Sequence, residues 1–184
     1  MQAKHQAKKH WDNFLAGNPA AFRALHDLTY DDLYRYAHRL RPDPAAARDA
    51  LQEVYLAIWQ RRDRVPPVRD PWVFLLVSLR NRIIDQVRKE RTLNIKHEPS
   101  PSPEDDLLAA EQDDRRRAWL RDHLGQLPDS QREALHLRYH LELEYPQVAE
   151  VLGVSQQAAY NYVNRGIKAL KKDVQEAPTW FFEK

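Results

Sequence analysis

Residues 98 to 114 read EPSPSPEDDLLAAEQDD, with seven carboxylates, no Lys or Arg, and Pro99, Pro101 and Pro103 alternating with serine. From about 96 to 106 this composition favours an extended, weakly ordered chain over a packed one. With 184 residues and 42% hydrophobic content, the chain could bury one moderate core or two small ones. The acidic strap decides for two. Helical periodicity runs from about residue 10 to 94, with breaks at Gly17-Asn18-Pro19, Arg41-Pro42-Asp43-Pro44 and Val65-Pro66-Pro67. It resumes from about 107 to 172, where Leu127-Pro128 marks a helix start, and neither a strand pair nor an internal repeat is evident. The expected fold is all-α. Two small helical domains, 10–95 and 115–172, are joined by a flexible acidic linker over 96–114, and a tail over 173–184 ends the chain.

The second domain contains YPQVAEVLGVSQQAAYNYVNRGIKALKK at 145 to 172. Val148, Val151 and Leu152 recur at helical spacing, and Ala149 leaves room for close helix approach. Pro146 is tolerable because it falls in a first turn. Gly153 can adopt the left-handed conformation that ends one helix, and Ser155 can cap the next through its hydroxyl. This is the pattern of a helix-turn-helix. In its second helix Ala159, Val163, Ile167 and Leu170 form an inward stripe. Gln156, Gln157, Tyr160, Asn161, Asn164, Arg165 and Lys168 are left largely outside, and such groups suit base edges and phosphates. An ordinary amphipathic hairpin would carry the same stripe, so the outward face is what favours DNA.

Other functions are poorly supplied. The absence of cysteine excludes disulfides and thiolate chemistry, and four glycines leave no phosphate-cradling loop of the usual kind. His136 and His140 are spaced i and i+4 in HLRYH, but no HExxH motif surrounds them, so neither a metal nor a cofactor is expected. The longest apolar run, VFLLV at 73 to 77, is too short to span a bilayer, and MQAKHQAKKH lacks the apolar stretch of a signal peptide. A cytoplasmic protein without membrane insertion or catalytic activity is expected.

The net charge is only +2, yet the charges are segregated. RNRIIDQVRKER at 80 to 91 is basic, as are Arg115 to Arg117 and the end of the helix-turn-helix. Upstream, AARDALQEVYLAIWQRR places Ala50, Val54, Ile58 and either Leu51 or Tyr55 on one helix side, with Asp49, Gln52, Glu53, Gln60 and Arg61 on the other. PPVRDPWVFLLVSLRNRIIDQVRKER then passes from a proline-containing loop into an apolar helix that ends basic. Trp72 and Phe74 fit a core, or a stacking surface for single strands beside so many cations.

In order along the chain, AF at 21 and 22, DALQEVYLAIWQRRD at 49 to 63, LRNRIIDQVRKER at 79 to 91, LPDSQREALHLRY at 127 to 139 and the helix-turn-helix together resemble a bacterial RNA polymerase sigma factor. The similarity is to the extracytoplasmic-function group, which carries only the second and fourth sigma domains, and it covers nearly the whole chain. A polymerase-independent helix-turn-helix regulator is the alternative. It has no reason to carry the DxxQE helix or the RNxxxD pattern of Arg80, Asn81 and Asp85.

The resemblance implies that core RNA polymerase is met by Asp49, Gln52 and Glu53. It implies that the loop from Arg61 to Trp72, including Arg62, receives a flipped base of the melted minus-ten strand together with Phe74 and Asn81. Arg80, Arg82, Arg88 and Lys89 would then hold phosphates. Ser155, Gln156, Gln157, Tyr160, Asn161, Asn164, Arg165 and Lys168 would meet the minus-thirty-five duplex. The linker would thread the polymerase channel, and an anti-sigma protein, usual in the group, is the further expected partner. The sequence departs from the family pattern at Glu142, Glu144, Pro146, Ala158, Ala159 and Tyr160. Trp180, Phe181 and Phe182 have no family role: the tail either packs on a helix or docks elsewhere.

Overall fold

The computed structural model describes residues 2–65, 68–93 and 111–181, and among these the secondary structure is helical throughout. Four helices, α1 (Gln2–Leu15), α2 (Pro19–Leu40), α3 (Pro44–Gln60) and α4 (Pro71–Thr92), make one unit. The second unit holds α5 (Glu111–Gln126), α6 (Asp129–Leu135), α7 (Tyr145–Leu152) and α8 (Gln156–Gln175). Most of the expected acidic linker lies outside the described residues, but its last four, 111–114, already belong to α5. The first helix likewise begins earlier than the periodicity suggests. Ala7 is buried one turn before Trp11, and with Phe14 it extends the apolar stripe toward the N-terminus.

In the N-terminal unit, three helices start the same way. Asn18, Asp43 and Asp70 each precede a proline, and each side chain accepts from free N–H groups of the first turn, including Ala20, Ala45 and Trp72 at 3.0 Å. Proline at the first helical position fixes φ and lacks a donor that would otherwise need a partner. Between these stops, Trp11, Phe14, Leu25, Leu33, Tyr36, Leu51, Leu75, Leu76, Leu79 and Ile83 are fully buried. Leu51 and Tyr55 both join the inner side of α3, which settles the choice left open by the pattern.

Two polar contacts are built into this core. Thr29 donates to Leu25 O at 2.7 Å, so the Tyr55 hydroxyl, 2.7 Å away, donates to Thr29. Burial pushes the Tyr55 phenol well above its ordinary pKa, keeping it neutral. Arg41, which ends α2, is buried and pairs with Glu90 near the end of α4 at 2.6 Å.

In the C-terminal unit, α6 runs on as a wider π turn over His136–His140. Ala134, Leu137, Leu143, Val148, Ala159 and Val163 are buried at its centre. Gly166 of α8 lies against Leu135, and a Cβ there would come within 2.8 Å of that side chain. The helices approach closely because this residue has no side chain. Of the tail, Phe181 packs its ring 4.7 Å from that of Trp119 in α5; the Trp180 side chain and Phe182 fall outside the described residues. Glu142 adopts φ 51°, the left-handed region that favours glycine.

Two stability predictions follow from these contacts. Glu142→Gly is expected to stabilise the C-terminal unit by about 0.5–1 kcal/mol, the left-handed backbone costing an L residue about 1–2 kcal/mol and glycine's greater freedom in the unfolded chain offsetting part of the gain. Thermal melts followed by circular dichroism should show a rise of a few degrees, and a fall would mean the turn is not strained. Glu90→Ala should cost the N-terminal unit about 2–3 kcal/mol in urea unfolding, because it leaves the Arg41 guanidinium without its counter-charge. Arg41→Met combined with Glu90→Leu should recover most of that loss.

Candidate nucleic-acid interfaces

The inner stripe of α3 points Asp49, Gln52 and Glu53 outward, and all three are exposed. Leu56 shares that face one turn further on and is 54% exposed. A large apolar side chain amid a polar face is a feature of interfaces, and this one escaped the sequence reading. Its signal was there, since Leu56 stands at i+3 and i+4 from Glu53 and Gln52 on the solvent side. Trp59 is also part-exposed, while its ring stacks on Phe14 at 5.8 Å.

Where α3 ends, the chain turns through a short 3-10 helix, Arg62–Arg64, before the loop that leads to α4. The end of α3, this turn and the outer side of α4 enclose a cleft of about 590 Å³. Its lining includes Arg61 and Arg64 from the turn, Phe74, Asn81 and Arg82 from α4, and Ile58 from α3. An aromatic ring, an amide and guanidinium groups thus share one concavity with the carboxylates of Glu53 and Asp85; the ring and amide can stack a base and read its edge, and Arg61 and Arg64 can meet its phosphate. Phe74 is held by an edge contact to the buried Trp11, 5.4 Å between ring centres. Most of the cleft's lining stands on α3 and α4, and the rest on the turn between them.

The structure places the residues expected for the minus-ten set in different surroundings. Trp72 is only 6% exposed and is a core residue at the start of α4, so its ring offers no free face for stacking. Arg62 does not line the cleft; it lies beside Asp63 at 3.3 Å, whereas its neighbours Arg61 and Arg64 do line it. Arg82 lines the cleft but is already paired with Glu53 of α3, one of the residues assigned to polymerase. Arg80 is half-buried and outside the cleft lining. Asn81, Asp85, Arg88 and Lys89 are exposed and follow one another along the outer side of α4. Pro66 and Pro67 of the proline-containing loop lie outside the described residues.

In the second unit, Gly153 at φ 67° closes α7, and Ser155 Oγ accepts from Ala158 N at 3.1 Å to open α8. Pro146 sits in the first turn of α7, where Gln147 Oε1 accepts from the N–H of Glu144 at 2.9 Å. This is the glutamine half of a capping box formed by Glu144 and Gln147. Ala159 and Val163 are buried, Ile167 and Leu170 are half-buried, and Gln156, Gln157, Tyr160, Asn161, Arg165 and Lys168 are exposed, with Asn164 at the margin. Gln157 Nε2 donates to Asn161 Oδ1 at 3.2 Å, so two amides stand side by side with groups left to offer a base edge.

An all-helical chain with a basic, aromatic cleft in one unit and a helix-turn-helix in the other has the make-up of a promoter-recognition protein. Residues 25–92 match the family Sigma-70 region 2, and residues 117–170 match Sigma-70, region 4. The chain is 32% identical over 159 residues to the ECF RNA polymerase sigma factor SigK of Mycobacterium sp. (strain KMS), covering 82% of this chain and 81% of that one. It is 31% identical to the ECF sigma factor SigL of Mycobacterium tuberculosis, over 88% of this chain and 93% of the relative. The fold is shared with RpoE, solved with the anti-sigma factor NepR from Bartonella quintana, at a TM-score of 0.66 and 22% identity, over 84% of this chain and 96% of that one. CnrH, solved with the cytosolic domain of CnrY, gives a TM-score of 0.64 at 20% identity, over 95% and 98%. The chain belongs to the extracytoplasmic-function sigma factors, which direct RNA polymerase to promoters.

Proposed function

We propose that the exposed face of α3, with Asp49, Gln52, Glu53 and Leu56, docks on core RNA polymerase, and that the cleft beside it traps one unstacked base of the melted minus-ten strand. The observation that carries this reading is the convergence of Phe74, Asn81, Arg61 and Arg64 on one cleft. Phe74 stacks on the base, Asn81 reads its edge, and the guanidinium groups hold its phosphate. Arg88 and Lys89, exposed further along α4, continue the phosphate track. Ser155, Gln156, Gln157, Tyr160, Asn161, Asn164, Arg165 and Lys168 meet the minus-thirty-five duplex through α8. The protein catalyses nothing itself and acts in the cytoplasm on polymerase and genome. No helix among the described residues is long and apolar enough to cross a membrane. An anti-sigma protein that covers the α3 face or the cleft would hold it inactive.

The polymerase-independent regulator is not favoured, because the chain matches sigma regions on both sides of its linker.

The Glu53–Arg82 pair makes the two faces share a contact, and this sharpens the test of the α3 face. Gln52→Ala with Glu53→Lys should weaken assembly with purified core by about 2 kcal/mol or more, as desolvated interface groups do when truncated. Arg82→Ala breaks the same pair from the other side and should leave assembly intact. Equal loss in both variants would mean that the pair matters only for the unit's own structure.

A second test separates the two roles within the DNA track. Arg88→Ala with Lys89→Ala should reduce open-complex formation on all promoters and lower the salt slope by about 1–2, since phosphates carry no sequence information. Asn81→Ala should instead blur base preference within the minus-ten element. Permanganate footprinting over a promoter library reads both. If the two variants change the same promoters by the same factor, the division of roles is wrong.

A further inference from the structure

Tyr160 is the large apolar side chain on the outward face of α8, and it is 46% exposed. Its ring does not stand alone. Tyr145, the first residue of α7, meets it edge to face, with ring centres 5.3 Å apart and planes at 62°. The Tyr145 ring is in turn backed by Arg138, whose guanidinium carbon lies 5.3 Å from the ring centre. Arg138 is itself fixed: it donates to Leu143 O at 3.0 Å and lies 3.6 Å from the Glu144 carboxylate. The π turn, the N-terminus of α7 and the second turn of α8 are thus linked in one line that ends on an exposed ring.

In a helix-turn-helix the second helix presents its first turns to base edges, and its partner crosses near the backbone. A tyrosine ring has few rotamers, so an edge contact at its flank is enough to select one. On the reading of α8 as the duplex-reading helix, we propose that Tyr160 contacts the 5-methyl group of a thymine at one upstream base pair, and that Tyr145 is the positioning residue that aims it. Methyl groups in the major groove are recognised by apolar side chains, and a bulky ring serves only if its direction is set. Gln157 and Asn161, paired with each other on the same face, read neighbouring positions through hydrogen bonds and do not depend on Tyr145.

The experiment is selection of randomised upstream elements by holoenzyme carrying each variant, scored position by position. A second arm uses binding to the selected duplex with uracil in place of each thymine. Tyr160→Ala should erase a thymine preference at one position. Tyr145→Ala and Tyr145→Leu should cut that same preference roughly 3- to 10-fold, about what burying one methyl group is worth. Tyr145→Phe, which keeps the ring, should retain it. Uracil at that position should weaken binding for the parent and for Tyr145→Phe, but not for Tyr160→Ala. Tyr145→Leu keeps apolar bulk at the helix start, so the arm survives if the alanine variant unfolds. A uniform loss across all sequences in the Tyr145 variants would overturn the proposal and leave Tyr145 a structural residue. So would an unchanged motif in Tyr160→Ala. If Gln157→Ala and Asn161→Ala shift the motif in the same selection, only the tyrosine proposal has failed. If those two also leave it unchanged, the assignment of α8 to the duplex has failed with it.

Discussion

The burial of one side of α4 governs the N-terminal unit. Leu75, Leu76, Leu79 and Ile83 are all sealed from water against α2 and α3, and each contributes roughly 1.5–3 kcal/mol by leaving it. That stripe sets the rotation of α4, and rotation decides which residues look into the cleft. Phe74, Asn81 and Arg82 are on the cleft side because Leu75, Leu79 and Ile83 are not. The same holds for α3, where Leu51, Val54, Tyr55 and Ile58 face inward and Asp49, Gln52, Glu53 and Leu56 are left outside. In a unit this small, the outer faces of the core helices are the surfaces it can offer to a partner.

Charge is distributed with equal economy. Although α4 is rich in cations, two of the acids nearby are already committed: Glu90 to the buried Arg41, and Glu53 to Arg82. The first pair ties the basic end of α4 to the end of α2, so the helix end that carries Arg88 and Lys89 is anchored rather than frayed. The second bridges α3 and α4 across the mouth of the cleft. Glu53 and Arg82 are both part-exposed, so their pairing adds at most about 1 kcal/mol to stability. Its consequence lies instead in the charge presented to a partner, because an arginine facing a carboxylate offers a phosphate less than a free one does.

Much of the fold was legible from the chain. Helix stops at Asn18-Pro19, Asp43-Pro44 and Gly153-Val154-Ser155 are local chemistry, and the inner stripes of α3 and α8 follow from spacing alone. What was not legible depends on tertiary placement. Periodicity cannot say whether Trp72 or Phe74 is the covered ring when both stand at the start of one helix. The answer comes from α1, whose Trp11 contacts Phe74 and leaves it at the cleft wall while Trp72 goes to the core. Arg61, Arg62 and Arg64 are equally basic in the sequence, and only the 3-10 turn selects the first and last for the cleft. The spacing of Leu56 from Gln52 and Glu53 puts it on the polar face, but only the placement of the neighbouring helices shows that nothing in this unit covers it.

The departures from the family pattern in the second unit are better understood together than one by one. Glu142 occupies a left-handed position, Glu144 caps α7 with a carboxylate in place of the hydroxyl that the family resemblance leads one to expect, and Tyr160 puts a ring where that resemblance leads one to expect a lysine. Each alone would count as a local cost. Yet they converge, since Glu144 lies against Arg138, Arg138 lies under Tyr145, and Tyr145 lies against Tyr160. A lysine at Tyr160 would provide a mobile charge that attracts any phosphate. A ring held by another ring provides a shape at a fixed place. On the proposed reading of α8, a ring in place of a lysine would trade sequence-independent affinity for a contact that depends on the base beneath it. The strained Glu142 turn sets the path of the chain from Arg138 into α7, so the cost of that turn and the direction of the exposed ring belong to one arrangement.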